Sequence, residues 1–134
     1  MNYTSIISGL YYLLIYADGS VNDKEITSIK QMVKAEGLNE AEFMVQMRML
    51  QSKDKDMLLA DCMMALKKLG HEQKVRVVAW LCVVANADGF MERTEWQLIY
   101  KIYHKELNLP LSEIFNVQKE LNKVIWEQMI VTIL

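Results

Sequence analysis

Tyr16-Ala17-Asp18-Gly19-Ser20-Val21-Asn22-Asp23-Lys24-Glu25 returns 70 residues later as Asn86-Ala87-Asp88-Gly89-Phe90-Met91-Glu92-Arg93-Thr94-Glu95. Ala, Asp, Gly and Glu coincide, and Val21 and Met91 are both apolar. Backward from this pair, Ile7, Leu10, Tyr11, Leu13 and Leu14 fall on Val77, Trp80, Leu81, Val83 and Val84. Forward, Ile29 falls on Ile99, Met32 on Ile102 and Glu36 on Glu106. The chain therefore reads as one helix–turn–helix unit written twice, at about 6–37 and 76–106. Two copies are too few for a solenoid, so the duplication belongs inside a single domain spanning 1–134.

Periodicity and punctuation around the repeat predict about seven helices and no strand. The first runs from about Thr4 to Tyr16 and the fifth from about Glu72 to Asn86. Both are apolar on nearly every side, which predicts a buried central pair. The Asp18-Gly19 turn ends the first helix, since Gly adopts a positive φ without strain. Asn22 with Glu25 reads as a capping-box variant opening the second, which runs to Gly37. Asn39 opens the third, Asp54 the fourth (to about Leu69), and Glu92 the sixth (to about Leu107). Asn108-Leu109-Pro110 breaks the chain before a last helix capped by Ser112.

Composition excludes several classes. Hydrophobic residues make up 52% and charged residues 24%, the balance of a packed protein and not of a disordered one. With 5 Gly and 1 Pro, the turns of a multi-stranded β fold are under-supplied. A net charge of −2 gives no electrostatic footprint for nucleic acid or an anionic membrane. Two Cys are no disulfide framework and fit a reducing compartment. Met1 to Ser5 lacks a basic n-region, and the longest apolar run, Val77–Ala85, is too short to span a bilayer. The expectation is a cytoplasmic protein that meets a membrane only indirectly, if at all.

The repeated turn has a chemistry to weigh. Asp-Gly-x-Φ-x-x-x-Glu, with Φ apolar, is the second half of an EF-hand loop, where Asp, Gly and a bidentate Glu surround a calcium ion. Asp18, Gly19, Val21 and Glu25 fit it, as do Asp88, Gly89, Met91 and Glu95. The first EF-hand ligand would fall on Leu14 or Val84, neither of which offers a side-chain oxygen, so neither copy is a complete EF-hand. Against the metal stands an ordinary reading: Asp-Gly is a common turn and Glu at the third helical position a common cap. If the central helices bring both turns to one side, Asp18, Glu25, Asp88 and Glu95 form an acidic set. Such a set favours a divalent cation, calcium first, that relieves the mutual repulsion.

The two Ala-Asp-Gly turns, each followed by a Glu-bearing helix, resemble the TerB-like family, named for the tellurite-resistance protein TerB. The same domain type occurs in membrane-anchored DnaJ-type co-chaperones. The resemblance runs from about Ile6 to Leu121 and is strongest from Val83 through Glu95. It implies an all-α TerB-like domain linked to tellurite and other chemical stress in bacteria, with no established catalytic reaction. It also implies a divalent-cation surface at Asp18, Glu25, Asp88 and Glu95. The second copy departs at Glu92, which stands where the first has Asn22; this weakens the cap and adds negative charge.

The remaining residues read blandly. Cys62 and Cys82 sit on apolar helix faces as inert thiols. His71 and His104 lack metal spacing, and no phosphate loop or nucleophile elbow appears. Core filling is the first reading for the Met cluster (Met44, Met47, Met49, Met57, Met63, Met64), and an adaptable partner groove the second. Trp126, Met129, Ile130, Ile133 and Leu134 share one helical face, read first as core and second as a docking or self-association surface. The expected function is a non-enzymatic, acidic, cation-responsive module with an unidentified protein partner. The alternative is a metal-independent interaction domain, with a homodimer left open and no nucleic-acid role.

Overall fold

The computed structural model describes residues 1–17, 23–87, 89 and 91–133, with side chains to residue 130. Among them are seven α-helices and no strand: α1 (Tyr3–Ile15), α2 (Asp23–Ala35), α3 (Glu40–Met49), α4 (Lys55–Leu66), α5 (His71–Ala85), α6 (Arg93–Tyr100) and α7 (Leu111–Ile133). Their starts follow the caps. Asn39 accepts from Glu42 N–H at 2.9 Å and Asp54 from Met57 N–H at 3.1 Å, each satisfying a first-turn donor that the helix itself cannot. At the last helix the expectation fails. α7 opens at Leu111, directly after Pro110, so Ser112 lies inside the first turn and is not its cap.

α1 and α5 form the centre. Every residue from Ile6 to Ile15 and from Val77 to Ala85 is buried, as helices apolar all round must be. α3 and α4 pack on α1, and α7 packs along α5. The second helices cross over: α2 rests on α5, and α6 touches α1 as well as α5. Each half of the repeat thus covers part of the other's central helix. Seven of the pairs read from sequence are buried in both members: Ile7/Val77, Leu10/Trp80, Tyr11/Leu81, Leu13/Val83, Leu14/Val84, Ile29/Ile99 and Met32/Ile102.

The correspondence extends beyond the residues first paired. Gly37 ends the first half's second helix at φ 67°, and Leu38 N–H donates to Val33 O at 2.9 Å. In the second half the left-handed residue is Asn108, at φ 50°, followed by Leu109. That is a shift of 71, one more than upstream. The extra residue is taken up by a π-helical turn, Lys101–Glu106, which continues α6 and lets Leu107 N–H reach back five residues to Ile102 O at 3.0 Å. In the new register Phe43 matches Ile114 and Leu50 matches Leu121, all four buried. The repeated unit is therefore three helices, α1–α2–α3 and α5–α6–α7, with α4 between them.

Candidate functional site at the acidic turns

The two turns leave their central helices in the same conformation. Tyr16 closes α1 at φ −102°, ψ 8°, and Asn86 closes α5 at φ −101°, ψ 17°. Ala17 N–H donates to Leu14 O and Ala87 N–H to Val84 O, both at 3.2 Å. Gly89 takes φ 85°, the left-handed conformation for which a glycine is suited, and donates its N–H to Asn86 O at 3.0 Å. Asp18, Gly19, Asn22 and Asp88 lie outside the described residues.

Glu25 and Glu95 are the third residues of α2 and α6, and both are withdrawn from solvent, at 6% and 1% exposure. A carboxylate is rarely buried so far without groups that compensate its charge. Part of Glu95's role is the ordinary one: Oε1 accepts from Glu92 N–H at 3.2 Å in a capping box. Glu92 was expected to weaken this cap by replacing Asn; its side chain instead supplies the reciprocal half of the box. The positive end of each helix favours a negative group at this position.

The crossing of the halves places the start of α2 beside the second turn. A cleft of about 410 Å³ is lined by Asp23, Lys24 and Thr27 at the start of α2, by Asn86 and Ala87 at the second turn, and by Asn122 on α7. The entry to the first copy's second helix thus faces the exit of the second copy's first. Among the described residues, no group of three His, Cys, Asp or Glu side chains is arranged to hold a metal.

The other singled-out residues sort cleanly by burial. Cys62 and Cys82 are buried and reduced; burial pushes their thiols up to about 11 and about 12. His71 Nε2 meets Glu113 Oε2 at 2.5 Å on the surface, and His104 stacks on Tyr100 with ring centroids 4.8 Å apart. Met47 and Met63 fill the core, whereas Met49, Met57 and Met64 are exposed. Core was the first reading for the C-terminal stripe, but Trp126, Met129 and Ile130 are exposed. α7 outlasts the surface of α5 that it covers; Leu121 is its last buried residue among those with described side chains. A residue that periodicity did not single out for structure is Glu36. Its Oε1 accepts from Arg76 Nε–H at 2.7 Å and Trp80 Nε1–H at 2.8 Å, tying the end of α2 to α5. The sequence carries that acceptor only as a half-polar helix end, with no spacing that reveals donors 40 and 44 residues away.

Among the described residues, seven α-helices built on a buried pair, with a buried glutamate in the first turn of both α2 and α6, define an all-helical domain. No helix among the described residues is long and apolar enough to cross a membrane. The family model described as tellurite resistance protein TerB matches residues 5–117, and the chain belongs to the TerB family. No curated protein and no solved structure matches it. TerB is not known as a family of enzymes.

Proposed function

We propose that this protein is a non-enzymatic, divalent-cation-binding module of the tellurite-resistance and stress-response type, which presents its cation-ordered surface to a protein partner in the cytoplasm. The observation that supports the reading best is the matched burial of Glu25 and Glu95 at the starts of α2 and α6. Hard cations take carboxylate oxygens, and calcium tolerates the irregular shell that two turns from different parts of a chain would make. Asp18, Glu25, Asp88 and Glu95 would hold the ion. Its charge would offset repulsion among the four carboxylates and hold the two turns together.

Calcium titration of the whole chain, followed by amide NMR, tests this. Saturable shifts confined to the two turns and the starts of α2 and α6 are expected, with loss in the double variant Asp18→Asn/Asp88→Asn. Absence of any shift at millimolar calcium removes the cation from the function. A second reading is favoured by the exposed apolar residues: Met57 and Met64 stand two turns apart on one face of α4, and Trp126 and Met129 lie on α7. In that case the partner docks on these side chains without an ion, and capture survives the turn substitutions but fails with Met57→Lys or Trp126→Glu.

A further inference from the structure

α7 runs past the part of it that is buried. Beyond Leu121, Trp126, Met129 and Ile130 are 62%, 43% and 36% exposed. Ile125 is partly buried against the core, and with Asn122 and Met129 it lines the cleft of about 410 Å³ described above. A spacing of three and four residues brings these three side chains to one side of the helix. The rest of the cleft comes from the start of α2, where Asp23 and Thr27 lie, from the end of α5, and from Asn86 and Ala87 at the second turn. Trp126 follows Ile125, and Ile130 follows Met129. Each of these exposed side chains is thus one residue on from one that lines the cleft, and the seating of α7 there sets how both are presented.

That seating rests on few apolar contacts, since Ile125 and Met129 share the cleft with polar side chains of α2. A segment held in this way opens at a low free-energy cost. What it rests on is what the proposed cation would hold: the start of α2, which carries Glu25, and the second turn. A ligand that fixes these two elements favours the seated arrangement by as much as it binds that arrangement better. Met57 and Met64, the exposed apolar residues of α4, take no part in the lining.

We propose that the surface ordered by the cation is α7 beyond Leu121: ion binding seats Ile125 and Met129 in the cleft and so fixes Trp126 and Ile130 for the partner. This rests on the cation reading above and adds where the partner surface lies and how it is switched. The test is calcium titration of the whole chain, with the Gly89 amide reporting the turn, and the Trp126 indole N–H and the methionine methyl groups reporting the surface. Trp126 and Met129 should shift along the same binding curve as Gly89, while Met57 and Met64 stay still. Coupling between sites is reciprocal, so Ile125→Ala/Met129→Ala should abolish the Trp126 shift and weaken calcium at Gly89 by roughly fivefold or more. Met129→Ala alone, at an exposed side chain, should move both readouts in the same direction. If Gly89 saturates while Trp126 and Met129 do not move, the proposal is overturned and the cation reading stands. Equal shifts at Met57 and Met64, or an unchanged Trp126 response in the alanine variants, overturn it too. If nothing shifts at millimolar calcium, the cation reading itself fails and takes this one with it.

Discussion

Cys62 and Cys82 show how a single side chain's surroundings set its chemistry. Burial is the main cause that raises both thiols, Cys62 to about 11 with help from the nearby Asp61, Cys82 to about 12. The neutral form is thus favoured in the fold. A thiol-disulfide reagent at pH 8 should leave both cysteines of the native chain unmodified and titrate both once the chain is unfolded in guanidinium; rapid native reaction would contradict their burial. The same shift has a consequence for stability. The folded values lie above the unfolded value of 9.0, so the contribution is fully present below pH 9 and is lost as the pH rises through about 11 to 12. The denaturation midpoint should therefore fall more steeply above pH 9 in the native sequence than in Cys62→Ala/Cys82→Ala. Inert buried thiols were legible from the apolar faces on which these residues recur. Glu95 was legible both as a cap and as a ligand, because the same carboxylate at the third helical position serves either; sequence alone does not decide between them.

Helix packing adds constraints that periodicity does not carry. α4 lies against α1 at Gly9, where a β-carbon would come 2.7 Å from Cys62 Sγ and 3.4 Å from Leu58 Cδ1. Gly in a helix interior ordinarily costs about 1 kcal/mol relative to Ala. Here the close approach reverses the sign, since forcing a methyl into a packed contact costs about 1–3 kcal/mol. Gly9→Ala should lower the unfolding free energy by about 1 kcal/mol net, the difference of those two effects. In a Cys62→Ala background, with the sulfur gone, the same change should become neutral or stabilising. Additive effects in the double variant would refute the contact as the cause. Element scale is also where the reading from sequence stopped short. The apolar spacing and the Asn and Asp caps placed the helices to within a few residues. The one-residue shift at the π turn of α6 hid the third helix of the repeat, since Phe43/Ile114 and Leu50/Leu121 align only when the shift changes from 70 to 71. A π turn leaves no composition signal. It is a change of winding that only the downstream register reveals.

At the scale of the molecule, the duplication is also an exchange. α2 belongs in sequence to the first half but seals α5, and α6 belongs to the second but reaches α1. This arrangement puts the start of α2 beside the second acidic turn in one cleft, a neighbourhood that no linear spacing indicates. It also explains the apolar excess of the central helices: each has to present a surface to both halves, so no face is left for polar residues. The fold class and the central pair were readable because that excess is conspicuous. The neighbourhood of the start of α2 and the second turn was not, because it depends on which central helix each outer helix chooses.

That exchange sets what would happen if the backbone were severed at the connection before α4, between Lys53 and Asp54. The amino-terminal piece would carry α1 without α4, α5 or α6 to shield it, and the other piece would carry α5 stripped of α2. Two separately purified fragments, 1–53 and 54–134, should give weak helical circular dichroism alone and regain a cooperative melt on mixing. A stable monomeric fold of 1–53 by itself would show that the halves are neighbours and not mutual completions. In a chain of this kind each half needs a helix of the other to finish its packing, so a fragment is complemented by its missing part and is not rescued by a second copy of the part it already has.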